Sequence, residues 1–120
     1  MLWKVPIDIA LLNAMPPNIA QLIGIEFTAC DDESLTARMP VDARTHQPLG
    51  ILHGGASVVL AESLGSIASN MIIDTGKYVG VGLEVNAQPC ATGEERMGNR
   101  DLQGHSYRCQ DTCLGYTDRE

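Results

Sequence analysis

The sequence predicts an α+β domain in which one long helix lies against an antiparallel sheet. Three observations carry this. Apolar residues keep helical spacing over a long stretch from residue 53 to residue 73. Three other stretches place apolar residues at every second position. The first two of those are joined by a short polar turn, the signature of a hairpin. At 120 residues the chain has the length of one domain, enough for one core and not for two.

Taken in order, Asp8 is placed to cap a short helix, "IALLNAM", which Pro16 and Pro17 stop. Asn18 is placed to cap a second brief turn that ends at Gly24. Ile23, Ile25, Phe27 and Ala29 then alternate with Gly24, Glu26 and Thr28 as a half-buried strand. After the turn "DDES", Leu35, Ala37, Met39 and Val41 alternate with Thr36, Arg38 and Pro40. The loop "DARTHQPLG" leads into the long helix, "HGGASVVLAESLGS" and onward. Beyond it Val79, Val81, Leu83, Val85 and Ala87 alternate with Gly80, Gly82, Glu84 and Asn86 as a third strand. No internal repeat and no low-complexity run is present.

The composition, 44% apolar and 4% aromatic, fits a globular chain packed on aliphatic side chains. A formal charge of −7 repels phosphate backbones and anionic lipid, so neither a nucleic acid nor a membrane is expected as partner. Asp8 interrupts the early apolar run and no small-residue cleavage site follows, so no leader is read. Four irregularly spaced cysteines without a leader point to a reducing, cytoplasmic setting.

On the long helix Ala56, Leu60, Leu64, Ile67 and Met71 form one apolar stripe, suited to packing on the sheet. Glu62 falls on the opposite side, beside Gly55, Val58, Gly65, Ser66 and Ser69. A glutamate on an outer helix face is ordinarily solvated. Here it is the one Asp, Glu, Lys or Arg between residues 53 and 73, and its neighbours are small enough to admit another backbone or a ligand. The Gly54-Gly55 start leaves the helix-end N–H groups open, at the positive end of the macrodipole. Such an end can polarise a carbonyl and stabilise an oxyanion, and a carboxylate can activate water or attack an acyl carbon. Gly55 and Glu62 lie about 10 Å apart along one helix axis, so a single copy cannot bring both to one atom. Two antiparallel copies can, which predicts a two-fold dimer with sites at its interface.

At this point "MPVDARTHQPLGILHGGASVVLAESLGS", followed by "VGVGLEVNA", resembles the hot-dog-fold acyl-CoA thioesterases. The branch is that of 1,4-dihydroxy-2-naphthoyl-CoA hydrolase and the enterobactin proofreading thioesterase. The resemblance covers residues 1–87, the "MLWK" opening included, and divides the chain into a hot-dog domain over 1–87 and a non-matching tail over 88–120. It implies a central helix wrapped by an antiparallel sheet, a homodimer or a tetramer built as a dimer of dimers, an acyl-CoA substrate, and neither cofactor nor metal. By motif, Glu62 resembles the catalytic carboxylate, as nucleophile or as general base. The Gly55 N–H resembles the helix-end donor to the thioester carbonyl, with Gly54 beside it against the substrate. Gln47 resembles the amide that positions thioester or water from the protomer opposite Glu62. His53 resembles the histidine flanking the carbonyl, and Ser66 a polar substrate contact one turn beyond Glu62. Taken singly, Gln47 reads as a turn residue, His53 as a helix-start residue and Ser66 as a spacer; their joint spacing supports the site.

The family continues past the third strand with an Asn-His pair and further strands, where this chain reads Gln88-Pro89-Cys90. Residues 1–87 hold all seven Val and all nine Ile of the chain. The tail, having neither, is expected to supply no strand and to be loose. Codon structure suggests a cause. Read from its second base, any Asn, Asp, His or Tyr codon gives Ile or Thr unless G follows. Asn99, Asp101, His105, Tyr107, Asp111, Tyr116 and Asp118 all convert, and Met97-Gly98 yields Trp. The expectation is a single-base slip after Ala87 that replaced the C-terminal strands. The competing reading of the tail is a zinc site from His105, Cys109 and Cys113, aligned only if the segment is helical, and it lacks the usual fourth ligand.

The sequence thus predicts a thioesterase of the aromatic acyl-CoA type. The alternatives are a non-catalytic remnant that dimerises or binds acyl-CoA, and another hot-dog reaction such as acyl hydration.

Overall fold

The computed structural model describes residues 3–83, 85, 105–108 and 115–118. Two short helices open the chain. Asp8 caps α1 (Ile9–Asn13), its Oδ1 accepting from Ala10 N at 2.9 Å, and Asn18 caps α2 (Ile19–Leu22) by accepting from Ala20 N at 2.9 Å. Gly24, with φ of 79°, turns the chain out of α2; a Cβ there would fall 2.6 Å from Arg44 Nη1.

The hairpin forms as β1 (Glu26–Cys30) and β2 (Leu35–Met39), paired antiparallel. Asp31 closes its turn, with Oδ1 accepting from the backbone N–H of Glu33 and Ser34 and Oδ2 from the Ser34 hydroxyl. On β2 the alternation holds: Leu35, Ala37 and Met39 are all fully buried. On β1 it fails halfway. Ile25 and Phe27 are buried, but Ala29, expected inside, is exposed because the register slips between Phe27 and Ala29. A bulge inserts one residue and reverses the faces beyond it.

The long helix, α3 (Gly54–Ile72), packs its stripe as expected. Leu60, Leu64 and Ala68 are buried with Phe27, Leu35, Ala37 and Met39, while Ala56, Ile67 and Met71 flank them partly buried. Trp3 is buried in the same core and donates its indole N–H to Asp31 O at 2.6 Å.

The third strand is shorter than expected and faces the other way. β3 spans Tyr78–Val81, and it is Gly80 that is buried against α3, while Val81 is 41% and Leu83 76% exposed. A backbone without side chains can approach a helix more closely than one carrying valines. The remainder of the expected strand, Glu84, Asn86 and Ala87, lies outside the described residues.

The expectation that residues 88–120 supply no strand is corrected for two short segments. β4 (His105–Arg108) pairs antiparallel with β2, giving the order β1-β2-β4, and β5 (Gly115–Asp118) pairs antiparallel with β3. Strand propensity depends on context, and the free edges of β2 and β3 offer ladders that a segment without Val or Ile can still complete. His105 therefore stands in extended backbone, so the helical alignment of a zinc site is not formed at that residue; Cys109 and Cys113 lie outside the described residues. Among the described residues no group of three or more metal-ligating side chains occurs, and no helix is long and apolar enough to cross a membrane.

Candidate active site

The loop before α3 is a built structure. Buried Thr45 anchors it, donating its hydroxyl to Pro40 O at 2.8 Å and accepting from Asp42 N at 3.1 Å. His53 N donates to Thr45 O and Gln47 N to Ile51 O, both at 2.8 Å, so the loop doubles back on itself. Its tip closes with Gly50 N donating to Gln47 O at 2.9 Å, and Gly50 takes a φ of 77°. Gln47 is thereby fixed by its backbone and is half-buried, and among the described residues its carboxamide makes one long contact, accepting from Leu49 N at 3.4 Å.

His53 is the N-cap of α3, and this corrects the picture of an open helix end. The Gly55 N–H donates to His53 Nδ1 at 2.8 Å. A Cβ at position 55 would fall 2.9 Å from that nitrogen, so glycine is what allows the ring to cap. His53, Gly54 and Gly55 are all exposed.

Glu62 is half-buried in the middle of α3. Its Oε1 accepts from Ser66 Oγ at 2.7 Å, the i to i+4 spacing that places two side chains on one helix face. Across from it runs the backbone just past β3, where a Cβ at Gly82 would fall 2.9 Å from Glu62 Oε1 and 3.2 Å from its Cγ. The carboxylate is therefore flanked by Ser66 on its own helix and by the Gly82 backbone. Salt bridges among the described residues are Arg38–Glu26, Arg44–Asp42 and Lys77–Asp74, none involving Glu62. A carboxylate that accepts from a hydroxyl keeps lone pairs with which it can act as a base or nucleophile.

The structure thus joins Glu62 to Ser66, and His53 to Gly55. Within one copy no hydrogen bond among the described residues links either pair to the other or to Gln47.

Sequence reasoning passed over Asn70. Its Nδ2 donates to Ser66 O at 2.8 Å and to Gly80 O at 2.9 Å, and its Oδ1 accepts from Gly80 N at 2.9 Å. The available signal was a pair of glycines at alternate strand positions facing a lone amide two turns beyond Glu62.

Comparison with known proteins follows this geometry. Over 87 residues the chain is 66% identical to the candidate esterase PA1618 of Pseudomonas aeruginosa, a match covering 72% of this chain and 60% of that protein. A crystal structure of a mutant thioesterase PA1618 superposes with a TM-score of 0.69 and 62% identity, covering 72% of this chain and 63% of that one. The 1,4-dihydroxy-2-naphthoyl-CoA hydrolase of Escherichia coli is 48% identical over 96 residues, 79% of this chain and 70% of the relative. The proofreading thioesterase EntH of Klebsiella pneumoniae is 47% identical over 106 residues, 85% of this chain and 77% of the relative. The chain spans about three fifths of the length of the Pseudomonas protein. No family model matches it.

Proposed function

The chain belongs to the hot-dog thioesterase family, and from that premise we propose that it hydrolyses the thioester of an aromatic or related acyl-coenzyme A. The observation that carries the proposal is the Glu62 carboxylate, half-buried, held by Ser66 and flanked by the Gly82 backbone. A thioester carbonyl gains little resonance from sulfur, and a thiolate leaves readily, so one carboxylate and one dipole suffice.

In the base route Glu62 takes a proton from water while the hydroxide adds to the carbonyl carbon. The C–S bond then breaks, and the thiolate leaves to become the free thiol. In the nucleophile route a Glu62 oxygen attacks the carbonyl carbon, thiolate departs, and water cleaves the resulting anhydride. Either route places negative charge on the carbonyl oxygen, where the Gly55 N–H and the α3 dipole stabilise it. Because that N–H is held by His53, its exposed ring must turn aside as substrate enters, exchanging Nδ1 for the thioester oxygen.

Glu62 and Gly55 lie about 10 Å apart along α3, so the site joins Glu62 of one copy to the helix start and Gln47 of another. Exposed Val81 and Leu83, on either side of the Gly82 that faces Glu62, support a second copy there. The assembly is a homodimer or a dimer of dimers in the cytoplasm. Close similarity to the E. coli hydrolase supports 1,4-dihydroxy-2-naphthoyl-CoA among the acyl groups to be tried.

The absence of Val and Ile from residues 88–120 favours a second reading, a hot-dog domain over 1–87 whose tail comes from a shifted frame, leaving a remnant that dimerises or binds acyl-CoA. Thiol release from benzoyl-CoA, compared between the native chain and Glu62→Gln, separates the two. A thioesterase loses turnover by roughly 100-fold or more while keeping its fold; a remnant shows no turnover for the substitution to remove.

A further inference from the structure

Resting on Glu62 as the reacting carboxylate, we propose that Asn70 is a positioning residue that holds this carboxylate from both sides. One carboxamide makes three backbone hydrogen bonds: two donated, to Ser66 O at 2.8 Å and Gly80 O at 2.9 Å, and one accepted from Gly80 N at 2.9 Å. Both arms lead to Glu62. On the helix, Asn70 grips the carbonyl of the residue whose hydroxyl donates to Glu62 Oε1 at 2.7 Å. On the strand, it grips both backbone groups of Gly80, two residues before Gly82, whose added Cβ would fall 2.9 Å from the same oxygen.

The chemistry is residue-specific. Aspartate lacks the two donors, alanine lacks all three groups, and glutamine carries an extra methylene that moves the amide off Gly80. The strand must also be bare. A Cβ at Gly80 would fall 3.3 Å from Asn70 Nδ2, and side chains at 80 and 82 would push β3 away from α3. The bond from Ser66 and the wall at Gly82 both meet Oε1, and among the described residues no hydrogen bond engages Oε2, the oxygen left to face water or an acyl carbon. With Asn70 removed, the wall at Gly82 loses its tie to α3 and the carboxylate gains room to rotate. A small misplacement of a reacting group costs rate far more than binding.

The test uses the full chain in three forms: native, Asn70→Ala, and Asn13→Ala as a control that breaks a similar two-bond clip between α1 and β1. Two readouts are taken, thiol release from benzoyl-CoA and the side-chain carboxyl resonance of Glu62 in 13C-glutamate-labelled protein, assigned by its loss in Glu62→Gln. Asn70→Ala should lower kcat roughly 10- to 100-fold with KM within about threefold, and should move or broaden the Glu62 resonance. The control should change neither per folded molecule. Native kcat and resonance in Asn70→Ala overturn the proposal, as does an equal change in the control. Should Asn70→Ala fail to fold, Asn70→Asp decides, since it keeps the size of the side chain and removes both donors; native kcat and resonance there also overturn the proposal. Native turnover in Glu62→Gln instead removes the hydrolase reading, and the resonance still judges Asn70 by itself.

Discussion

Ser66 donates its hydroxyl to Glu62 Oε1 at 2.7 Å from one turn further along α3, so a hydroxyl on the same helix face orients the carboxylate. Ser66→Ala removes that bond and leaves the Gly82 wall. The expected outcome is a fall in kcat of about tenfold, the size of one charge-assisted hydrogen bond. KM and the melting temperature should change little. Steady-state thiol release beside a thermal melt checks this; an unchanged kcat would show that Ser66 does not orient the carboxylate.

Asn13 clips α1 to β1, donating to Phe27 O at 2.9 Å and accepting from Phe27 N at 2.8 Å. A helix of five residues cannot persist by itself. Asn13→Ala should cost about 2 kcal/mol by leaving both Phe27 backbone groups unpaired. Urea unfolding measures it, and a loss well below about 0.5 kcal/mol would mean that water replaces the clip.

Hydrogen bonds from the Arg44 side chain, then its backbone N–H, hold the Asp42 carboxyl below the usual carboxylate range. A folded-state pKa below the unfolded value stabilises the fold above that unfolded value, about 3.9. The stabilisation fades as pH falls through the folded pKa. Asp42→Asn should therefore melt lower than the native chain at pH 7, by a small margin because the pair is largely exposed. The two melting curves should converge in acid below both pKa values. A gap that persists there would assign the effect to packing.

Much of the frame was legible in the sequence. Asp8, Asn18, the Pro16-Pro17 pair after the first short run and Gly24 after the second carry local signals, and the Leu60–Leu64 stripe and the Leu35–Ala37–Met39 alternation depend on period alone. Ala29 was missed because a bulge adds one residue without any mark in composition. β3 was read with its valines inward, since apolar residues ordinarily seek the core; here close approach of backbone to α3 wins, and glycine is the inward residue. Glu62 and Ser66 could be paired by spacing. The capping of Gly55 by His53 could not, because it depends on a ring orientation that no spacing encodes.

The tail proposal has its own test. Sequencing the gene across codons 85–100 should show a gained or lost base after codon 87, with the other frame running on into the Asn-His pair that this chain replaces by Gln88-Pro89-Cys90. Restoring that frame should raise turnover. A frame that runs intact across codons 85–100 would contradict it.

Mixing two inactive forms tests the shared site most directly. Glu62→Gln and Gln47→Ala are each purified, combined, unfolded and refolded together, and assayed for thiol release. If each site takes Glu62 from one copy and Gln47 from the other, mixed dimers contain one fully native site, and turnover should rise to about a quarter of the native value. A mixture no more active than the mean of its two components would mean that Glu62 does not serve the neighbouring copy's helix start.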